Sequence, residues 1–241
     1  LFTENKKFLE LLLRIFGSSN FISDTLIKQP GLIDIVKDTE SIYRFKNKEN
    51  LHKEISQILK TRDTYKAQQD ILRRFKQGEE LRIGIRYIIG EVDIEGTLKD
   101  LSSLAETHVE AAYQIAFEKL KTQYGNDKKI PDSFAIIGMG KLGGSEINFK
   151  SDLDLIFVYE DTPNDSLFSG DVVLFYTKIS QLLHELTSEI TSSGYVYKID
   201  SDLRPEGKSG RMVNSIKSYE GYYKTRARTW EQQAMVRARF I

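Results

Sequence analysis

Phe134-Ala-Ile-Ile-Gly-Met-Gly-Lys-Leu-Gly-Gly-Ser-Glu-Ile-Asn-Phe-Lys-Ser-Asp-Leu-Asp-Leu-Ile-Phe-Val-Tyr159 sets a glycine-rich turn beside two carboxylates. The apolar run Phe134 to Ile137 meets Gly138 and Gly140, and a second apolar run carries Asp152 and Asp154. Side chains two apart on a strand leave it on the same face. Asp152 and Asp154 are therefore expected to point together, while Leu153 and Leu155 point the other way into a core. Carboxylates packed that closely repel, and one takes up a proton unless a cation lies between them. Hard oxygen ligands of this kind suit Mg2+ or Mn2+ bridging to substrate phosphates better than zinc. The competing reading is a solvated strand face. The glycine turn before the pair, and the poor fit of aspartate to strand interiors, favour a metal and nucleotide site. Gly138, Gly143 and Gly144 would let main-chain N–H groups approach a phosphate, and Ser145 is expected to open a helix whose N-terminus favours anions. A tight turn without a ligand is the alternative for these glycines.

Outward from this stretch the chain reads as an α+β protein. Residues 1–126 are expected to be a helical lead-in. Apolar positions recur there at three and four, as in Phe8, Leu11, Leu12, Ile15, Phe16 and in Leu98, Leu101, Leu104, Ala105, Val109, Ala112, Ile115, Ala116. Gly17-Ser-Ser-Asn, Gln29-Pro-Gly and Gly90 punctuate the helices. The dense charge between Lys46 and Lys76 is expected on solvated helix faces. Asn126-Asp-Lys-Lys is the expected connector to residues 127–241, where short β-rich runs are expected among helices. In that second region a long helix is expected from about Ser169 to Thr191 and a strand from Tyr195 to Asp200.

Composition narrows the function. The 241 residues are 40% hydrophobic, ample for a sizeable core. Lys plus Arg equals Asp plus Glu at 35 each, so no global attraction to nucleic acid or membrane is implied. From Arg204 to Arg239 nine basic residues stand against three acidic ones, a patch suited to a triphosphate or an acidic partner; Arg204 and Lys208 are its best candidates. The chain has no cysteine, which excludes disulfides, zinc thiolates and thiol catalysis and points to a reducing, cytoplasmic setting. There is no run of about 20 apolar residues and no signal-peptide pattern. Starting at Leu1 and ending at Ile241, the chain is expected to be a piece of a longer protein. His52, His108 and His184 lack metal-ligand spacing and are expected to be satisfied or surface residues. Trp230 is expected to anchor a helix in a core, and Tyr222 and Tyr223 to pack as aromatics.

Gly138-Met-Gly-Lys-Leu-Gly-Gly-Ser-Glu146 followed by Ser151-Asp-Leu-Asp-Leu-Ile-Phe157 resembles the nucleotidyltransferase fold of the polymerase beta superfamily, which implies a mixed β-sheet flanked by helices over residues 127–241. More narrowly it resembles the glutamine synthetase adenylyltransferase family, also called glutamate-ammonia-ligase adenylyltransferase. Tyr197-Lys-Ile-Asp-Ser-Asp-Leu-Arg-Pro-Glu-Gly-Lys-Ser-Gly210 is similar to that family's Val-Asp-x-Arg-Leu-Arg-Pro segment. Thr229-Trp-Glu-Gln-Gln-Ala-Met-Val-Arg-Ala-Arg239 is similar to its Trp-Glu-x-Gln-Ala helix, and Leu72-Arg-Arg-Phe-Lys and Leu81-Arg-Ile-Gly to its helical lead-in.

The resemblance implies a third carboxylate at Asp200, two divalent ions (Mg2+ or Mn2+) held by Asp152, Asp154 and Asp200, and ATP as substrate. It implies nucleotide contacts that include Ser151, glutamine synthetase as the protein target, and a PII-type nitrogen-signalling protein as partner of the full-length enzyme. The chain departs from the pattern at Asp202, where the family has an arginine. Full-length members carry two such domains, one attaching AMP and one removing it with phosphate to give ADP. Ser151-Asp-Leu-Asp-Leu and the Trp230 segment resemble the transfer domain, while Gly138-Met-Gly-Lys-Leu and Asn148-Phe-Lys-Ser lean toward removal. Transfer is the reading preferred here. A noncatalytic nucleotide-sensing or partner-binding module that has kept the fold is the alternative from another class.

Overall fold

The computed structural model describes residues 6–124, 133–160, 171–191 and 194–241. The chain opens with helices α1 (Lys6–Ser18), α2 (Asn20–Lys28), α3 (Ile33–Lys37), α4 (Thr39–Tyr43) and α5 (Lys48–Leu59). Two long helices follow, α6 (Tyr65–Ile89) and α7 (Ile94–Tyr124). Local chemistry sets their ends. Thr64 caps α6 by accepting the Ala67 N–H, and Gly90 stops it at φ 85°, a left-handed conformation that glycine adopts without a Cβ penalty. In α1 the apolar stripe buries Phe8, Leu12 and Ile15, whereas Phe16 stays exposed.

After residue 133 come β1 (Phe134–Gly138), the short α8 (Gly140–Gly143), β2 (Leu153–Tyr159), α9 (Asp171–Ser188), β3 (Ile199–Asp200), β4 (Val213–Ser215), α10 (Ile216–Thr225), α11 (Thr229–Met235) and β5 (Arg239–Phe240). The fold is α+β, with a mixed sheet in the order β3-β2-β1-β5 and β4 also paired to β2. β1 runs antiparallel to β2 and β5, whereas β3 and β4 run parallel to β2. One core spans helices and sheet, joining Leu51, Leu104 and Val109 to Phe157 and Leu183. Phe134 stacks on Tyr113 of α7 and Tyr176 of α9 at 5.7 and 5.0 Å between ring centres, clamping β1 between helices. The connector at 126–129 lies outside the described residues, as does the expected start of the long helix at Ser169.

Two expectations need correcting. The strand expected from Tyr195 is reduced to Ile199–Asp200, because the Val196 and Tyr197 N–H groups both donate to the Thr187 carbonyl (2.9 and 3.0 Å) at the end of α9 rather than to a neighbouring strand. The charges between Lys46 and Lys76 are not all solvated. Helix α6 lies among α1 to α5, α7 and α9, so its charged side chains have few routes to water. Lys46 is buried between Glu79 (2.8 Å) and Glu54 (2.6 Å), and Arg73 is fully buried, donating to the Gly194, Gln69 and Glu189 carbonyls. Removing one partner of such a pair strands a buried charge, at a cost of about 3–5 kcal/mol.

His108 lies on α7, fully buried against Phe75 and Tyr197, with the charges of Lys76 and Glu79 nearby. Its Nδ1 is 2.8 Å from the Leu104 carbonyl and its Nε2 is 3.1 Å from that of Leu72; a neutral ring can donate to only one of them. Burial pulls its pKa from 6.5 down to about 4, despite those two carbonyls. The unfolded chain thus takes up this proton at higher pH than the folded one. His108 should therefore leave stability intact above pH 6.5 and erode it as pH falls toward 4, by an amount on the order of 3 kcal/mol. Urea unfolding of wild type and His108→Gln between pH 7 and 4 measures it. A variant whose stability falls as steeply as wild type would exclude His108 as the source.

Candidate active site

β2 begins at Leu153, so Asp152 stands exposed just ahead of the strand and Asp154 is the first carboxylate within it. Leu153 and Leu155 point into the core and are fully buried, as alternation requires. The parallel pairing of β2 with β3 sets Asp154 directly beside Asp200. All three sequence-derived aspartates therefore share one edge of the sheet. Asp154 is half-buried. Burial first, and then the charges of Asp200 and Asp152, push its carboxyl above the usual range, while Lys141 pulls it back.

Among the described residues, no three His, Cys, Asp or Glu side chains are drawn together tightly enough to hold a metal. Asp200 Oδ1 is occupied by the Asp202 N–H at 2.7 Å. The set still fits a hard divalent cation in two respects. Its donors are all carboxylate oxygens, and Asp154 carries a burial and like-charge penalty that a cation would relieve.

The glycine turn packs onto this edge. The Met139 N–H donates to the Asp154 carbonyl at 2.8 Å, which carries the β1–β2 pairing to the start of α8. Gly140 opens α8 at φ 52°, and a Cβ there would stand 2.3 Å from Asp154 Oδ2. The first N–H groups of a helix have no carbonyl within it; at α8 these are those of Gly140, Lys141 and Leu142. Gly138 abuts the flexible Ile241 side chain, and Gly143 abuts the Arg237 carbonyl. Gly140, absent from the sequence-derived set, is thus the glycine closest to the carboxylates. Exposed Lys141 is the cation whose charge reaches Asp154, and it too had no role assigned from sequence.

Ser145 requires a correction. It follows α8 instead of opening a helix, at φ 55°, because the chain leaves the helix here to run beneath α7, where the Ile147 N–H donates to Ser102 Oγ at 3.0 Å. Lys150 is likewise left-handed at φ 61°, so two non-glycine residues on the link into Asp152 hold unfavourable backbone conformations. Ser151 Oγ accepts the Asn148 N–H at 3.2 Å and closes that turn.

Arg204 is buried, and its guanidinium donates to the Ser201, Lys208 and Gly210 carbonyls, so its donors hold its own loop. Asp202, the departure from the family pattern, lies 3.4 Å from the exposed Lys208 and 3.6 Å from Arg204. Helix α9 brings His184 to this loop, with Nε2 3.2 Å from Ser201 Oγ, next to Asp200. Burial and then Arg204 lower its pKa, while Asp200 opposes them. No local signal marks this histidine, since α9 meets β3 only in the tertiary fold. Trp230 is half-exposed, correcting its expected core role; α11 is anchored instead by Glu231, which accepts from Tyr222 Oη and the Arg228 N–H at 2.7 Å each. Among the described residues a cavity of about 1050 Å3 lies away from the carboxylates, between α5, the start of α6 and α7, around Leu59, Tyr65 and Ile115.

The family model of glutamate-ammonia ligase adenylyltransferase matches residues 9–241. The chain belongs to that family. Membership supports a glutamine synthetase adenylyltransferase type of function and a nucleotidyltransferase class of chemistry. The family's ATP substrate and divalent metal suit an all-carboxylate edge beside a glycine turn. No helix among the described residues is long and apolar enough to cross a membrane.

Proposed function

We propose that this chain transfers AMP from ATP to a tyrosine of glutamine synthetase, with Asp152, Asp154 and Asp200 as its catalytic carboxylates. The observation that carries the reading is the β2–β3 register, which sets Asp200 beside Asp154 on the sheet edge that also receives Gly140. Asp152, Asp154 and Asp200 would hold Mg2+ or Mn2+, which when bound neutralises charge on the phosphates and on the entering and leaving oxygens. Asp200, exposed at the end of β3, is assigned to take the phenolic proton. The tyrosine oxygen attacks the α-phosphorus, the bond to the β-phosphate oxygen breaks, and pyrophosphate leaves with its electron pair.

The leading N–H groups of α8, with Lys141 and Lys208, are assigned to the phosphates; Gly138, Gly143 and Gly144 shape the turn that presents them. Arg204 is assigned to holding the Asp200 loop. Catalysis in this arrangement is positioning plus electrostatics. Regulation of nitrogen assimilation, with a PII-type protein as partner of the longer enzyme, belongs to the same reading.

The test is label transfer from ATP to unmodified glutamine synthetase with Mg2+ or Mn2+, run beside phosphate with adenylylated glutamine synthetase. Label should enter the target with wild type and not with Asp152→Ala plus Asp154→Ala. AMP leaving as ADP only in the phosphate arm would reverse the direction and keep the site. Activity in neither arm would sink the catalytic reading.

A further inference from the structure

We propose that Arg239, backed by Glu106, is a positioning residue that sets the affinity of the glycine turn for nucleotide, so that the helical region forms part of the site. This inference rests on the nucleotidyltransferase reading above.

Arg239 opens β5, and its guanidinium bridges three groups. Nε donates to the Gly143 carbonyl at 3.1 Å, and Nη2 donates to the Leu142 carbonyl at 2.9 Å and to Glu106 Oε1 at 2.5 Å. Glu106 is buried on α7, and its other oxygen meets Lys48 of α5 at 2.8 Å. Burial alone would raise the Glu106 carboxyl; the hydrogen bonds from Arg239 and Lys48 outweigh it and hold the group below the usual range. One turn earlier on α7, Ser102 accepts the Ile147 N–H. Helix α7 thus grips this stretch twice, directly at Ile147 and through Arg239 at Leu142 and Gly143.

The grip matters because α8 has only four residues, too few to hold a helical turn by themselves. A peptide unit is planar, so fixing the Leu142 and Gly143 carbonyls also fixes the Gly143 and Gly144 N–H groups. Those two N–H groups close α8 by donating to the Met139 and Gly140 carbonyls at 2.9 and 3.1 Å. Closure of α8 in turn sets Gly140 against Asp154. The chain on either side of Arg239 is part of the same brace: the Arg237 carbonyl packs on Gly143, and the Arg237 side chain pairs with Glu146.

The alternative is an ion pair that only adds stability. Lysine separates the two, because it keeps the charge opposite Glu106 but lacks the planar fork that spans two carbonyls and a carboxylate. ATP binding in the presence of Mn2+ would be measured by calorimetry for wild type, Arg239→Ala, Arg239→Lys and Glu106→Gln. Thermal midpoints and hydrogen exchange of the Leu142–Ile147 amides would be followed alongside.

Arg239→Lys should hold the wild-type midpoint within a few degrees and yet bind ATP about tenfold to a hundredfold more weakly, with faster exchange confined to Leu142–Ile147. Glu106→Gln should weaken binding in the same direction, and combined with Arg239→Lys should fall short of the sum of the two effects. Should Arg239→Ala fail to fold, the lysine and glutamine variants carry the test. Wild-type affinity in Arg239→Lys, or faster exchange spread across the whole chain, would overturn the positioning role alone. A wild-type chain that binds no ATP with Mn2+ would instead overturn the nucleotide reading on which the role depends.

Discussion

Asp154→Asn is expected to lower adenylyl transfer roughly 10^3-fold or more while leaving the thermal midpoint unchanged or raised. The two halves of this result have one cause. Asp154 is half-buried beside Asp200, and burial and like charge both push its carboxyl up. A carboxyl whose folded pKa is raised loses stability as pH rises through its titration, so at neutral pH its ionised form is a burden that a neutral amide of the same shape removes. In the proposed reacting complex, that same negative charge would attract a divalent ion. Sites that concentrate like charge trade stability for function in this way. The result requires a melting curve and the label-transfer assay on one preparation. Activity within tenfold of wild type would remove Asp154 from the site, and a clear drop in melting temperature would show that the repulsion argued from the register is absent.

Gly143→Ala should destabilise the chain by about 3 kcal/mol, whereas Gly144→Ala should be neutral or stabilising by up to about 1 kcal/mol. The two glycines are neighbours and read alike in the sequence. A Cβ on Gly143 would stand 1.8 Å from the Arg237 carbonyl oxygen and 2.7 Å from that of Gly138, both backbone atoms, so the link between α11 and β5 or the glycine turn itself has to move. At Gly144 φ is −79°, open to any residue, and the nearest atom is the Glu146 side-chain oxygen at 3.3 Å. Urea midpoints of the two variants decide the matter. Equal effects would mean that the link between α11 and β5 does not lie against the glycine turn as described.

What was legible in the sequence was what depends on neighbours along the chain. Alternation placed Leu153 and Leu155 in the core and Asp154 on the other face, the apolar stripes located α1 and α7, and Gly90 marked the end of α6. Family resemblance singled out Asp200, and the β2–β3 register then set it beside Asp154. Local pattern failed where a side chain's fate depends on what covers it. Lys46 and Arg73 read as surface charge and are buried because other helices close over α6, while Trp230 read as core and is half-exposed. His184 and Glu106 carry no motif, and their contacts exist only because α9 and α7 meet the loops of the sheet. Local pattern along the chain was thus enough for the helical lead-in, the apolar strand that carries Asp154 and the family's chemistry. The tertiary structure alone decided which glycine touches Asp154, which charges are buried, and that a helix of the lead-in region braces the turn. Periodicity and turn chemistry act over a few residues, whereas burial and register are set by segments far apart in the chain.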